Sequence, residues 1–344
     1  MTGTMLDEAY ERVRHTGPER NGWLSNHAPM AVEALVHRGH GEAAHRWLDS
    51  YADKLEDRPR GIRTIAADEW RDPLGDPVRT GDWLDYFDRE LAGEHWREVL
   101  TRWWPRLLPG IAAGATHGVI RVGHAVRALL DEETGPRVAE LGQGLAYWAA
   151  RWQPLASPGT GPYRTTDPRS ALDAVPLVPD QRFGIRARLA QLADLAQWPA
   201  AAGAVPGRDG DDVPVRLAGI VDAAVERHGT HGYASPVMLV HAATAPNAVL
   251  RTLPALPATL WAPSLAAAWA ATAAVTAAFA PAEGRPAPRA GSAPDPDEVM
   301  RRAMDTGDAH AIKFVDTAMD TYARSGSADI LAVAAESTDQ IAAD

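Results

Sequence analysis

Along the whole chain apolar residues recur at helical spacing, while alternating strand patterns bounded by turn signals are nearly absent. One helix is expected over 5–15, where Leu6, Tyr10 and Val13 share a face. A second carries the apolar run 31–36 after Pro29, with Ser25 or Asn26 as its cap. Further helices are expected over 41–54, 83–108, 111–131, 137–151, 183–197, 213–228, 236–250, 264–279, 297–325 and 328–342. Two stretches, 154–179 and 281–296, are punctuation, and the second reads as a mobile Pro/Ala/Gly-rich surface loop because only two helices follow it. No repeat period appears. The expectation is an all-α fold, built as a single large multi-helix domain over residues 1–344.

Composition narrows the chemistry. The 344 residues contain no cysteine, which excludes disulfides, thiolate metal sites, iron–sulfur clusters and cysteine nucleophiles. With 34 basic and 45 acidic residues the net charge is −11, and nucleic acid, which needs clustered cations, is not an expected partner. Residues 1–23 carry charges throughout and lack the apolar core of a secretory signal, so a cytoplasmic location is expected. No charge lies between Arg251 and Glu283, but this stretch is mostly alanine and is broken by Pro254, Pro257 and Pro263. Alanine contributes little to bilayer transfer, so a buried core helix is expected there and no membrane partner. The nearest approaches to a dinucleotide glycine motif, Gly142-Gln143-Gly144 and Gly39-His40-Gly41, lie in helical context without the third glycine, so no flavin motif is present.

Twelve histidines remain as candidate ligands. Those at 15, 37, 40, 45, 95 and 228 neighbour charged, polar or Gly residues and read as solvated; His231, after Gly229-Thr230, reads either way. His27, His117, His124, His241 and His310 instead sit among apolar or small residues, where burial demands a partner. Each alone reads as a satisfied core histidine, but several on separate helices suit a buried metal centre. His117 and His124 are about 10.5 Å apart along a helix axis, too far to share one ion. His310 and Lys313 are spaced i, i+3 and can meet on one face. Only Lys54 and Lys313 are lysines among the 34 basic residues. Neutral or carboxylated by CO2, Lys313 can ligate where arginine cannot, although spacing alone favours a snorkelling surface residue.

The segments Asn26-His27-Ala28-Pro29-Met30, Trp70 to Gly75 with Asp82-Trp83 and Phe87, Gly114-Ala115-Thr116-His117 through His124, Leu239 to Thr244, and His310-Ala311-Ile312-Lys313 follow in this order. Together they resemble the questin oxidase-like family over nearly the whole chain. Its fungal members open rings of anthraquinone-type polyketides, formally as Baeyer–Villiger-like oxidations. The resemblance implies a non-haem iron oxygenase of secondary metabolism whose Fe(II) is held by histidines and a modified lysine. Carried over by position, the ligands are His27, His117, His241, His310 and Lys313. This sequence departs from the fungal pattern at Arg121, where a second histidine tends to stand, and at His124, where an aromatic does. His124 then either supports the ligands from behind or replaces the missing one.

The resulting expectation is an O2-dependent mono- or dioxygenase acting on an aromatic or quinone-type small molecule. Lys313 and Arg121 are its catalytic candidates, Arg121 as the cation that steadies a phenolate or enolate oxygen. Trp23, Trp103 and Trp104, from a set of twelve tryptophans, are expected near the substrate pocket. Two rivals keep the same residues: a zinc-type metallohydrolase on the same histidines, and a non-catalytic helical small-molecule-binding protein.

Overall fold

Helices account for almost all of the regular structure in the computed structural model, which describes residues 2–156, 167–205, 212–291 and 295–344. The chain groups into two compact units, one of residues 1–154 with 251–260 and the other of 155–250 with 261–344. Neither unit is one continuous segment, so the chain does not fold as two successive domains joined by a single linker.

The first unit contains α1 (Thr2–Val13), α2 (Ala28–His37), α3 (Gly41–Tyr51), α4 (Thr80–Gly93), α5 (Trp96–Leu107), α6 (His117–Asp131) and α7 (Gly135–Ala150). Helix α7 packs on α4, α5 and α6, and α2 packs on α1, α3 and α6. Strands β1 (Glu19–Arg20) and β2 (Leu24–Ser25) form a small antiparallel hairpin with Glu19 opposite Ser25. Asn21 and Gly22, both at positive φ, turn its tip. Trp103 is fully buried against Trp70, Trp83, Tyr86 and Phe87, with ring centroids 4.9 to 5.5 Å away. Trp104 meets Trp148 edge to face at 5.4 Å.

The second unit contains α8 (Pro168–Asp173), α9 (Ile185–Ala190), α10 (Trp198–Ala202), α11 (Val213–His231), α12 (Pro236–Leu239), α13 (His241–Thr252), α14 (Trp261–Phe279), α15 (Pro296–Asp305), α16 (Ala309–Ser325) and α17 (Ala328–Ala342). Helix α11 packs on α8, α14, α16 and α17, and α16 packs on α15 and α17. The charge-free segment is a core helix. It is long and apolar enough to cross a membrane, but 78% of its most apolar window is buried in the protein.

Several expected helices are broken where a local signal outweighs apolar spacing. The one expected over 83–108 divides at Glu94, which is extended, and His95 restarts the chain by accepting the Arg97 N–H on its ring. The one over 297–325 divides at Gly307, at φ +69°, and Asp308 caps α16. The stretch over 236–250 is interrupted at Val240. Pro246, inside α13, has no N–H for the Ala242 carbonyl, which accepts the Thr272 hydroxyl at 2.9 Å instead. The helix over 183–197 is only α9 and a 3-10 turn at Gln191–Asp194. Within the expected punctuation 154–179, Asp167 caps the short α8, and 157–166 lie outside the described residues. The loop expected over 281–296 has neither helix nor strand over 281–291, and 292–294 lie outside the described residues.

The approach of α6 to α7 depends on Gly118. A methyl there would stand 2.8 Å from Cβ and Cγ of Trp148 and 2.9 Å from its Cα. In Gly118→Ala the added helix propensity, about 1 kcal/mol, opposes overpacking of about 1–3 kcal/mol. We expect overpacking to win, with a net loss above zero and up to about 2 kcal/mol in urea unfolding. Stability equal to or above the wild type would refute this close approach.

Candidate metal centre

The first unit brings His27 and His117 together. Asn26 fixes the entry to α2: its amide donates to Gly17 O and its Oδ1 accepts the Ala28 N–H at 3.0 Å. His27 occupies the N-cap position, and its backbone N–H donates to Tyr51 Oη. His117 begins α6, six residues later than the sequence spacing suggests, because Gly114, Ala115 and Thr116 all take positive φ of 53°, 58° and 67°. For Ala115 and Thr116 this costs roughly 1–2 kcal/mol each, strain of the kind that gathers at functional sites. The turn aims the Gly114 carbonyl at the His117 ring, which donates from Nδ1 at 2.6 Å. A carbonyl can only accept, so His117 Nε2 bears the lone pair. It lies 2.8 Å from His27 Nε2. Two nitrogens that close suit adjacent positions on one ion at bond lengths of roughly 2.0–2.2 Å.

The second unit assembles His241, His310 and Lys313. His241 is fully buried, and its Nδ1–H donates to the Met238 carbonyl at 3.0 Å. Burial, with Lys313 and His310 close by, holds its pKa well below the ordinary histidine value, so the ring is neutral. The His310 ring centroid is 5.6 Å from that of His241. Asp308 accepts both the His310 backbone N–H at 2.6 Å and the ring Nδ1–H at 2.9 Å. Burial alone would raise the Asp308 carboxyl, but the bonds from His310 overcome it and pull it down to about 2. A carboxylate behind Nδ1 is the usual way a protein orients a metal-binding imidazole. Three rings thus have Nδ1 engaged by an oxygen acceptor, leaving Nε2 as the basic nitrogen. Ring nitrogens of His27, His117 and His310 can serve as metal ligands.

Lys313 is fully buried, with no hydrogen-bond partner for Nζ among the described residues. The snorkelling surface role favoured by its spacing is therefore overturned. Burial lowers its pKa to about 7, against the opposing pull of Asp308. Near neutral pH a large share of the amine is unprotonated, the form that can bind a metal or take up CO2. This isolated amine and the anchored rings fit a metal.

His124 and Arg121 are buried in charge clusters. His124 Nδ1 donates to Glu33 Oε2 at 2.5 Å, and Arg127 donates to both Glu33 oxygens at 2.8 and 2.6 Å. Desolvation lowers the His124 pKa, so Arg127 supplies the balancing charge. Arg121 grips Glu140 with Nε and Nη2 at 2.5 and 2.8 Å and reaches Gln143 at 3.1 Å, while its buried Nη1 has no partner among the described residues. Trp103 and Trp104 lie in the core of the first unit, and Trp23 is 69% exposed beside the hairpin tip. These positions do not bring the three tryptophans together as one pocket wall. His228, read from sequence as solvated, is buried. Its Nε2–H donates to Pro236 O, Ser337 donates to its Nδ1, and Gly232 folds tightly against the ring. Burial lowers its pKa to about 4.

Sequence reasoning did not single out Glu33, Asp308 or Tyr147. A lone acid inside the apolar run 31–36 was a usable signal for Glu33, and Asp308 stands two residues before His310. Tyr147, within an otherwise apolar helical run, carried none.

Residues 24–140 match the family model described as Questin oxidase-like, which supports the resemblance read from the sequence. The matched segment contains His27, Glu33, Gly114, His117, Arg121 and His124. No curated protein matches the chain.

Glu33 gives a pH test. Burial would raise its pKa, but Arg127 and His124 outweigh that and hold it at about 2 against an ordinary 4.5. A carboxyl depressed on folding stabilises above the ordinary range and loses that contribution as pH falls through the window. Glu33→Gln is expected to cost about 3–5 kcal/mol at neutral pH, because a buried cation loses its partner. The gap to wild type, followed by urea unfolding, should narrow as pH drops from 4.5 towards 2. A gap independent of pH would refute this assignment.

Proposed function

We propose that this chain is an O2-dependent non-haem iron oxygenase that carries out oxidative ring opening or a Baeyer–Villiger-like oxidation of an aromatic or quinone-type small molecule. The observation that carries the reading is Lys313, a buried amine with no partner for Nζ among the described residues, sharing its surroundings with the neutral His241. The match to the questin oxidase-like family supports an oxidoreductase and its polyketide-type substrates. The ligands are His27, His117, His241, His310 and Lys313, the last as free amine or carbamate. Imidazoles with one anionic oxygen donor suit ferrous iron. The bound metal would supply the redox chemistry that activates O2.

The protein's own residues do the rest. Gly114 O, Met238 O and Asp308 hold the Nδ1 protons of His117, His241 and His310 and so keep the opposite nitrogens basic. Arg121, fixed by Glu140 and Gln143, retains Nη1 as a donor for a phenolate or enolate oxygen. His124 and Glu33 support the metal site through α2 and α6 without ligating.

Protein purified without a histidine tag is expected to retain about one iron per chain and to consume O2 with a quinone-type substrate. Elemental analysis and O2 uptake, with and without added reductant, check this. Failure to bind Fe(II) sinks the proposal, and stoichiometric zinc without O2 uptake replaces it with a hydrolase. His241→Ala should weaken metal binding by about 10- to 100-fold or more, whereas His231→Ala, a half-buried ring bonded to Thr230, should not.

Lys313→Arg separates a ligand from a plain buried cation. A guanidinium stays protonated near neutral pH and forms no stable carbamate. The variant is expected to lose activity and loosen the metal. If the wild type uses a carbamate, it weakens in CO2-depleted, mildly acidic buffer and recovers with bicarbonate. Full metal content and turnover in Lys313→Arg would contradict a ligand role.

A further inference from the structure

Two segments distant in sequence deliver the His27–His117 pair, and one phenol on a third element touches both. On the first, Ser25 ends β2 two residues before His27, and its hydroxyl shares a buried 2.5 Å hydrogen bond with Tyr147 Oη of α7. On the second, Gly114 lies in the left-handed turn before α6. A Cβ placed there would stand 2.3 Å from Tyr147 Oη and 2.9 Å from Cζ. The phenol therefore occupies the space a side chain at 114 would need. The carbonyl of this same Gly114 holds His117 Nδ1 at 2.6 Å. Tyr147 is itself 1% exposed, so its ring is fixed by its surroundings.

We propose that Tyr147 is the positioning residue of the His27–His117 pair, setting the strand that delivers one ring and the turn that orients the other through a single buried hydroxyl. It touches neither imidazole in this role. It acts on His27 through Ser25 and Asn26, and on His117 through the Gly114 carbonyl. An ordinary core tyrosine would stabilise the unit without fixing how the two rings meet. The position lies outside the matched segment 24–140. The importance of the pair rests on the metal-site reading above, but its geometry can be read without metal.

The test uses full-length, metal-free protein and the nitrogen-15 and proton signals of its imidazoles. Tyr147→Phe keeps the ring and removes the hydroxyl, and it is expected to shift the signals of both His27 and His117. Ser25→Ala removes the same hydrogen bond but leaves the phenol against Gly114, so His27 should move more than His117. The double variant should add little to Tyr147→Phe, since both changes remove one interaction. Tyr233→Phe, whose hydroxyl donates to Glu283 O on the exposed surface, should leave both rings unchanged.

On titration with Fe(II) without oxygen, Tyr147→Phe is expected to lose affinity by about 10- to 100-fold, the range for residues supporting metal ligands. Both ring signals coinciding with wild type in Tyr147→Phe would overturn the proposal, even if the melting temperature fell. If Tyr147→Phe does not fold, Ser25→Ala decides through the His27 signal. Wild-type protein that fails to bind Fe(II) would defeat the metal reading, while the metal-free ring signals would still decide this one.

Discussion

Glu33 is an ionised carboxylate in an almost wholly apolar helix, and two residues of α6 hold it. Arg127 brings the charge in a two-point grip and His124 adds a neutral donor. Burying this acid without them would be prohibitive, whereas complete pairing converts it into a constraint on how α2 meets α6. The first of these helices starts beside His27 and the second at His117. A second buried pair, Arg121 with Glu140, ties α6 to α7, where Gly118 lets the backbones approach beside Trp148. These pairs hold together the helices that begin beside His27 and at His117, while the segments just before each helix orient the two rings.

The second unit solves a different problem. Helix α14 is rich in alanine and carries no charge, so a polar group buried in such an interior must be answered individually. Pro246 frees a carbonyl that Thr272 satisfies, and His228 is held between Pro236 O and Ser337. Lys313 is the contrast. Its amine lies in the same dry interior with no partner among the described residues, and with its pKa lowered to about 7. Thr244 Oγ1 and Asn247 Oδ1 are also buried without a partner among the described residues, but an amine is the costliest of these groups to leave unanswered.

Much of the candidate site was legible in the chain. Polar rings in apolar runs marked His27, His117, His124, His241 and His310, and the scarcity of lysine marked Lys313. His228 was misread because its sequence neighbours, Arg227 and Gly229, look solvated. What buries it are Pro236 and Ser337, the latter more than a hundred residues away. Trp103 and Trp104 precede His117 in sequence, yet aromatic packing draws both into the core. Chain proximity says little about where a large apolar side chain finds its area.

Helical periodicity, the lack of alternating strands and the absence of cysteine determined the all-α class and the donor chemistry, because these are properties of residue type and spacing. Tertiary structure decided what depends on partners. Gly114, Ala115 and Thr116 take a left-handed turn that apolar spacing alone reads as helix, and long-range contacts outweigh the strain. The ring tautomers were likewise outside the sequence's reach, since they depend on Gly114 O, Met238 O and Asp308 standing opposite Nδ1. Burial separates Lys313 from a surface cation, and burial is a sum over distant neighbours that no local pattern encodes.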